Sequence, residues 1–283
     1  MKLYKYIVFV ILIATMFGCK EEDHPYVGYI VVQRAVIEAS GGSTTLTADT
    51  DISDPIRVIG IDDEGSEWCS VSVNGKELTI TASQANPSKD NFRTATVTLR
   101  CGYRVTEFTV LQKYEGQQYL EYDWTLWNAT GSDVQASDGG GYPSLFNNDR
   151  TNFWHSQYSP ALTEPLPHQI VIDMQKEQPV AMVQIGRRYY AENGNNYPSV
   201  KTMEVYAGTD NENYTKVGGF SFSLPWTAPD GTIVNGNSPL VPPYEEVILD
   251  EITTARYFKL VITETNNTNG TCQVSYFKAY EPL

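Results

Sequence analysis

Basic residues are scarce in this chain: 20 Lys and Arg stand against 34 Asp and Glu, for a formal charge of −14. Such a chain does not seek nucleic-acid phosphates. It also disfavours acidic polysaccharides, unless a site is locally basic. Histidine occurs only 3 times, and the 4 cysteines show no zinc-site spacing with them. The apolar run Tyr6–Phe17, interrupted only by Thr15, falls short of the ~20 residues needed to span a bilayer. No window carries a convincing helical stripe. There is no Gly-x-Ser-x-Gly elbow, no His-Glu-x-x-His and no phosphate-binding glycine loop. A glycosidase would need two carboxyl groups facing across a cleft, and no catalytic strand-end pattern of acids is recognisable. The reading is therefore non-enzymatic.

What is there begins with an export signal. Lys2 and Lys5 precede the apolar run, which suits a secretory signal over residues 1–18. Met16-Phe17-Gly18-Cys19 resembles a bacterial lipobox, and that resemblance implies cleavage before Cys19 and a lipid on it. An ordinary signal peptide is the alternative. Lys20-Glu21-Glu22-Asp23 resembles the surface-export tag of Bacteroidetes lipoproteins, against a plain solvated tether. Together they imply a lipid-anchored outer-membrane protein facing the cell exterior, with residues 19–26 as tether.

The rest alternates with period two. Glu77-Leu78-Thr79-Ile80-Thr81, Gln169-Ile170-Val171-Ile172-Asp173 and Phe258-Lys259-Leu260-Val261-Ile262 are examples, separated by Gly, Asn, Asp and Pro. The fold class is all-β, with sandwiches the expected architecture. A boundary near Tyr114–Gln118 divides residues 27–115 from 118–283. After cleavage three cysteines remain, so at most one bridge forms; Cys69 and Cys101 either pair or stay as buried thiols.

Residues 27–115 carry a Gly41-Gly42 turn feeding a strand, a single Trp68, an Asn74-Gly75 hairpin, Asn86-Pro87-Ser88, Arg93-Thr94-Ala95-Thr96-Val97 and a closing Val110-Leu111-Gln112. This pattern resembles the BACON family and implies an immunoglobulin-like sandwich. Trp68 reads as core, and the domain as a spacer.

In residues 118–283, Asn147-Asn148-Asp149-Arg150-Thr151-Asn152-Phe153-Trp154 is followed by Ile170-Val171-Ile172-Asp173, a strand ending at Arg187, then Tyr206…Asp210 and Arg256-Tyr257-Phe258-Lys259-Leu260. The order resembles the discoidin family, also called coagulation factor 5/8 type C, which overlaps carbohydrate-binding module family 32. The resemblance implies a jelly-roll β-sandwich with Trp154 in its core. It also implies a structural Ca²⁺ in the loop before that Trp, held by Asn147, Asp149 and Asn152. Two departures remove negative charge: Asn147 replaces the family's first Asp, and Ser275 or Tyr276 stands where the family has its closing Glu. A purely hydrogen-bonded loop is the alternative.

The family's ligands sit on loops at one end of the sandwich. Three loops here have a sugar-binding composition: 187–198, 224–231 and 265–270. A sugar needs an aromatic against its C–H face and forked or amide donors for its hydroxyls. The candidates are Trp226, Arg187, Arg188, Tyr189, Asn195, His155 and Asn267. Arg187 has a structural alternative, pairing with Asp173 or Glu204. Of Tyr189 and Tyr190, alternation places one in the core. Trp226, off any strand between two prolines, is a platform or a lid. His155 follows a core Trp, so alternation points it outward. The expected function is a non-catalytic surface lipoprotein capturing an oligo- or polysaccharide for an outer-membrane uptake complex. The rivals are an adhesin docking host glycoprotein or protein, and a ligand-free structural subunit of a glycan-processing complex.

Overall fold

A computed structural model describes residues 26–160, 165–194 and 199–283. Cys19 and its flanks, and Asn195, lie outside the described residues. The chain divides into two compact units, the first ending at Gly116 and the second running from Gln117 to Leu283.

The first unit packs two sheets around one core. One sheet has the order Ala35–Ile37, Arg104–Gln112, Arg93–Cys101, Ile56–Ile61; the other Gly42–Thr47, Glu77–Ala82, Cys69–Asn74. Alternation does what it should: Ala95, Val97, Leu99 and Cys101 of one strand all point inward. The Asn74-Gly75 turn closes a hairpin in which Asn74 faces Glu77, and Gly75 takes φ +62°, a left-handed conformation that glycine adopts without strain. Trp68 is buried beneath the Arg93 guanidinium, 4.4 Å from the ring centroid.

Fully buried Gln112 explains the polar end of the last strand. Its Oε1 accepts from Arg93 Nε at 2.8 Å, and its Nε2 donates to Gln84 O at 2.9 Å and Ala39 O at 3.2 Å. One amide thus ties the last strand to two loops. Cys69 and Cys101 are buried and unbridged. Burial pushes the Cys69 thiol up to about 11.

The second unit is organised by two long strands, His168–Gly186 and Tyr244–Thr265. Their pairing shifts register between Asp173 and Gln178 and again between Val180 and Met182. The first half of His168–Gly186 also pairs with Asn128–Gly131, and the second half with Phe277–Pro282. One sheet thereby bends to serve both layers of a sandwich. Val200–Gly208 and Thr215–Ser221 continue it along the other long strand. Trp154, Ile170, Ile172, Met203, Leu260, Phe258 and Phe277 fill the space between. The only helical pieces among the described residues are a single turn at Asp63–Ser66 and a 3-10 turn at Tyr142–Phe146.

Beneath the functional end lies a buried polar knot. Asp133 Oδ1 lies 3.1 Å from His168 Nδ1, and His168 Nε2 lies 2.8 Å from Gly270 O. Asp133 Oδ2 accepts from Gln157 N at 2.7 Å. Its main-chain oxygen accepts from Trp154 Nε1 at 3.0 Å and from the Tyr142 hydroxyl at 2.9 Å. Each nitrogen of the His168 ring thus faces an oxygen. This knot pins loops 132–158 and 266–271 to the sandwich. The Asp133 carboxyl sits below its ordinary range: burial opposes this, and the His168, Gln157 and Ser132 hydrogen bonds overcome it.

Candidate functional site

Four loops converge at the same end of the second unit. Tyr189 N donates to Arg150 O at 2.8 Å, joining loop 187–194 to the Asn/Asp loop. The Tyr190 hydroxyl donates to Gln273 Oε1 at 2.7 Å. Asn266 links the others: its Oδ1 accepts from Leu224 N at 3.0 Å, while Nδ2 donates to Ser199 Oγ at 2.9 Å and Phe222 O at 3.0 Å. The segment from Phe222 to Val241 has its own small core of Phe222, Val234 and Val241, with Tyr190, Leu224 and Trp226 against it.

Arg188 occupies the centre of one aromatic cluster. Its guanidinium stacks 4.1 Å from the Phe153 ring centroid and 4.9 Å from that of Tyr190. It is half-buried and forms no ion pair with a described residue. The His155 ring centroid lies 6.2 Å from Phe153 and 4.8 Å from Tyr158. The Tyr158 hydroxyl donates to Asp138 Oδ2 at 3.2 Å. A planar fork, an imidazole, a phenol and a carboxylate thus share one aromatic-walled patch.

The protonation states follow from these neighbours. His155 Nδ1 lies 2.7 Å from Ser156 O, so Nδ1 carries the proton and Nε2 is left as an acceptor. Burial pushes the His155 pKa below its ordinary value, and the Arg188 cation adds to this; the Ser156 carbonyl and the Asp138 charge oppose it. The ring is therefore neutral near pH 7. Burial pushes the Tyr190 hydroxyl up to about 12, with Arg188 opposing. The Asp138 charge and its hydrogen bond raise Tyr158.

Several expected residues fall elsewhere. Arg187 is buried, and its partner is neither Asp173 nor Glu204, which bind Arg256 and Lys216 instead. Arg187 Nη2 pairs with Glu245, Nη1 donates to Pro242 O at 3.1 Å and Tyr244 O at 3.3 Å, and the guanidinium lies 3.9 Å from the Phe222 ring centroid. Its fork is engaged by the protein. His155 does not point outward: it is only 5% exposed, because Trp154–His155 is a two-residue strand covered on both sides. Trp226 is not off any strand; it pairs with Val234 in a short ladder and lies half-buried, its ring centroid 6.2 Å from that of Phe222. Asn267 is bound within its own turn, with Oδ1 accepting from Thr271 N at 3.1 Å and Nδ2 donating to Thr271 Oγ1 at 2.6 Å. Tyr189 is the exposed member of its pair and Tyr190 the partly buried one. Asp138 and Tyr158 escaped the sequence reading. Tyr158, three residues after His155, was the available signal.

The Asn/Asp loop holds itself together. Asn147 Oδ1 accepts from Asp149 N at 2.9 Å. Asp149 Oδ1 accepts from Thr151 N at 2.9 Å and Thr151 Oγ1 at 2.7 Å, and Oδ2 from Asn152 Nδ2 at 2.7 Å. Calcium takes six to eight oxygens, several of them anionic. Here Asp149 is the loop's one carboxylate and both its oxygens are occupied. Arg150 adds a cation alongside, its Nε donating to Arg187 O at 2.8 Å. Among the described residues no three His, Cys, Asp or Glu side chains are grouped to hold a metal. These residues do not fit Ca²⁺.

The F5/8 type C domain model matches residues 126–277, and the BACON model matches residues 58–113. Among solved structures, the family 32 carbohydrate-binding module of NanJ from C. perfringens, in complex with galactose, is 16% identical over 58% of this chain and 99% of its own, with a TM-score of 0.43. The C-terminal domain of a chitobiase from Bacteroides fragilis is 22% identical over 58% of this chain and 99% of its own, with a TM-score of 0.43. A SusE-like protein is 17% identical over 90% of this chain and 97% of its own, with a TM-score of 0.43. No curated protein matches.

Proposed function

Because this chain belongs to the F5/8 type C domain family, we propose that its second unit binds an uncharged glycan at the Arg188 cluster, without performing chemistry on it. The observation that carries this reading is the Arg188 guanidinium, held flat by Phe153 and Tyr190 yet in no ion pair with a described residue. A half-buried guanidinium in no direct ion pair keeps donors for a ligand or water to satisfy. Its fork can donate to two adjacent sugar oxygens. Asp138 accepts a hydrogen bond from a sugar hydroxyl and the Tyr158 ring meets the apolar C–H face, while buried, neutral His155 packs against Phe153 and Tyr158 and holds those walls in place.

A non-catalytic role is supported by the knot beneath the cluster, where both oxygens of Asp133 are already bonded within the protein and so are not presented to a glycosidic oxygen. In this reading the BACON-like unit is a spacer. A lipid on Cys19 anchors the protein to the outer membrane, facing outward, beside a polysaccharide uptake complex. Isothermal titration of the full chain against a panel of neutral oligosaccharides, with product release monitored in parallel, tests it. Binding of at least one glycan with no product is the expected result. Capture of protein partners with no glycan binding points instead to an adhesin, and turnover to an enzyme.

A further inference from the structure

Tyr103 stands almost wholly in solvent, 95% exposed, at the tip of the hairpin joining Arg93–Cys101 to Arg104–Gln112. A single exposed aromatic needs no explanation, but this one belongs to a patch. On one side of the tip the segment Tyr26–Val31 is held against the hairpin, with Arg104 Nε donating to Gly28 O at 2.7 Å. Tyr26, Val27, Tyr29 and Val31 are all exposed. On the other side Arg57, Arg100 and Val105 lie directly opposite one another on three adjacent strands, so their side chains share one face. Val105 and Ile59, two residues along from Arg57, are about half exposed.

Two observations say what covers this end. The first is charge. Like charges directly opposite in a sheet are destabilising. Arg57 and Arg100 are nevertheless exposed neighbours, and neither forms an ion pair with a described residue. An anionic surface relieves their repulsion. Asp49, Asp51 and Asp54 also lie at this end and weaken the attraction, but two of them are engaged: Asp51 accepts from the Tyr26 hydroxyl at 2.7 Å and Asp49 from the Tyr29 hydroxyl at 3.0 Å. The formal charge of −14 is spread over the whole chain and screened beyond about 8–10 Å, so the arginine row acts at short range.

The second is the tether. Six residues, 20–25, separate Cys19 from Tyr26, and an extended chain of that length reaches ~25 Å at most. The strand Arg104–Gln112 carries the chain ~27 Å away from the tip before it leaves the first unit. With a lipid on Cys19, the Tyr103 end is the end of the first unit nearest the bilayer.

We propose that this end is a foot resting on an anionic membrane surface, with Arg57 and Arg100 donating to lipid phosphates and Tyr103, Val105 and Ile59 entering the headgroup layer. It rests on the reading that Cys19 carries a lipid. The planar fork of Arg fits phosphate, and a phenol, apolar with one polar tip, suits the membrane–water boundary. The lipid fixes one point of the chain; the foot fixes the tilt of the first unit. Because the tether keeps the foot within reach, weak contacts suffice.

The test couples the chain from Cys19 onward, both units intact, through the Cys19 thiol to a maleimide-headgroup lipid. The vesicles are phosphatidylcholine alone or a two-to-one mixture with phosphatidylglycerol. Cys69, Cys101 and Cys272 are buried and spared. Hydrogen exchange read by mass spectrometry follows residues 26–31 and 100–105. On the anionic vesicles these should exchange more slowly than in the uncoupled chain. Arg57→Ala and Arg100→Ala should each reduce the docked-to-undocked ratio about fivefold, the effect of one arginine near an anionic surface. Without vesicles, Arg100→Ala should melt no lower than wild type, since it removes a like-charge neighbour; this separates docking from folding. Exchange unchanged by coupling, or protection that both arginine variants retain in full, refutes the foot. Protection that appears without vesicles as protein concentration rises makes a second copy the occupant and refutes it too. If the protein extracted from its cells carries no acyl chain on Cys19, the anchor reading fails and takes the foot's setting with it, even where the coupled chain docks.

Discussion

Arg187 and Arg188 are neighbours in sequence with opposite roles, and replacing each by Ala separates them. Arg187 is buried, paired with Glu245 and bonded to two carbonyls. Removing one member of a buried pair costs about 3–5 kcal/mol. The Glu245 side chain is 27% exposed and partly rehydrates, which brings the estimate to roughly 2–4 kcal/mol. For a domain of this size each kcal/mol is worth about 2–4 °C, so Arg187→Ala should lower the Tm of the second unit by roughly 5–15 °C. Arg188 contributes stacking at a half-exposed site, about 0.5–1 kcal/mol, and its variant should melt within about 4 °C of wild type. Binding should show the reverse. A charge-assisted hydrogen bond to a ligand is worth about 1.5–3 kcal/mol, so Arg188→Ala should weaken glycan binding about tenfold to a hundredfold. Arg187→Ala, measured well below its Tm, should bind within about threefold of wild type. Scanning calorimetry and isothermal titration on the same preparations give both numbers. A normal affinity for Arg188→Ala, or lost affinity with unchanged melting for Arg187→Ala, refutes the reasoning.

Further expectations concern pH, calcium and thiols. Burial holds the His155 pKa below its ordinary value, so affinity should be flat from pH 7 to 8 and fall in acid as the ring takes up a proton beside the Arg188 cation. The stability that neutral His155 contributes is likewise present above its unfolded pKa and lost as pH falls through the folded one; weakening above pH 7 instead would contradict this. Calcium or a chelator should leave the Tm unchanged to about 1 °C, and a rise of several degrees with millimolar calcium would show that the Asn147–Asn152 loop rearranges to bind it. Cys69, Cys101 and Cys272 are buried free thiols; they should resist alkylation in the native protein and react fully, without prior reduction, once it is unfolded.

The sheets were legible because each strand's inward positions repeat every second residue, as in Arg93–Cys101 and His168–Asp173. Trp154 was legible as core because it ends a turn-forming run and begins a strand. The site was less so. Which of two adjacent arginines turns inward is decided by Pro242, Tyr244 and Glu245, more than fifty positions along the chain, and no local pattern reports that contact. Alternation misjudged His155 because a two-residue strand pinned between loops has no solvent face. Asp138 sits in a polar turn whose relation to Tyr158 exists only in three dimensions.

A crystal structure of the full chain with a neutral oligosaccharide selected by titration is the most direct measurement. The sugar should lie against Tyr158, with two adjacent oxygens within hydrogen-bond distance of the Arg188 guanidinium and no displacement of Arg187 from Glu245. A sugar bound on the first unit, or on the second unit with Arg188 untouched, would contradict the account.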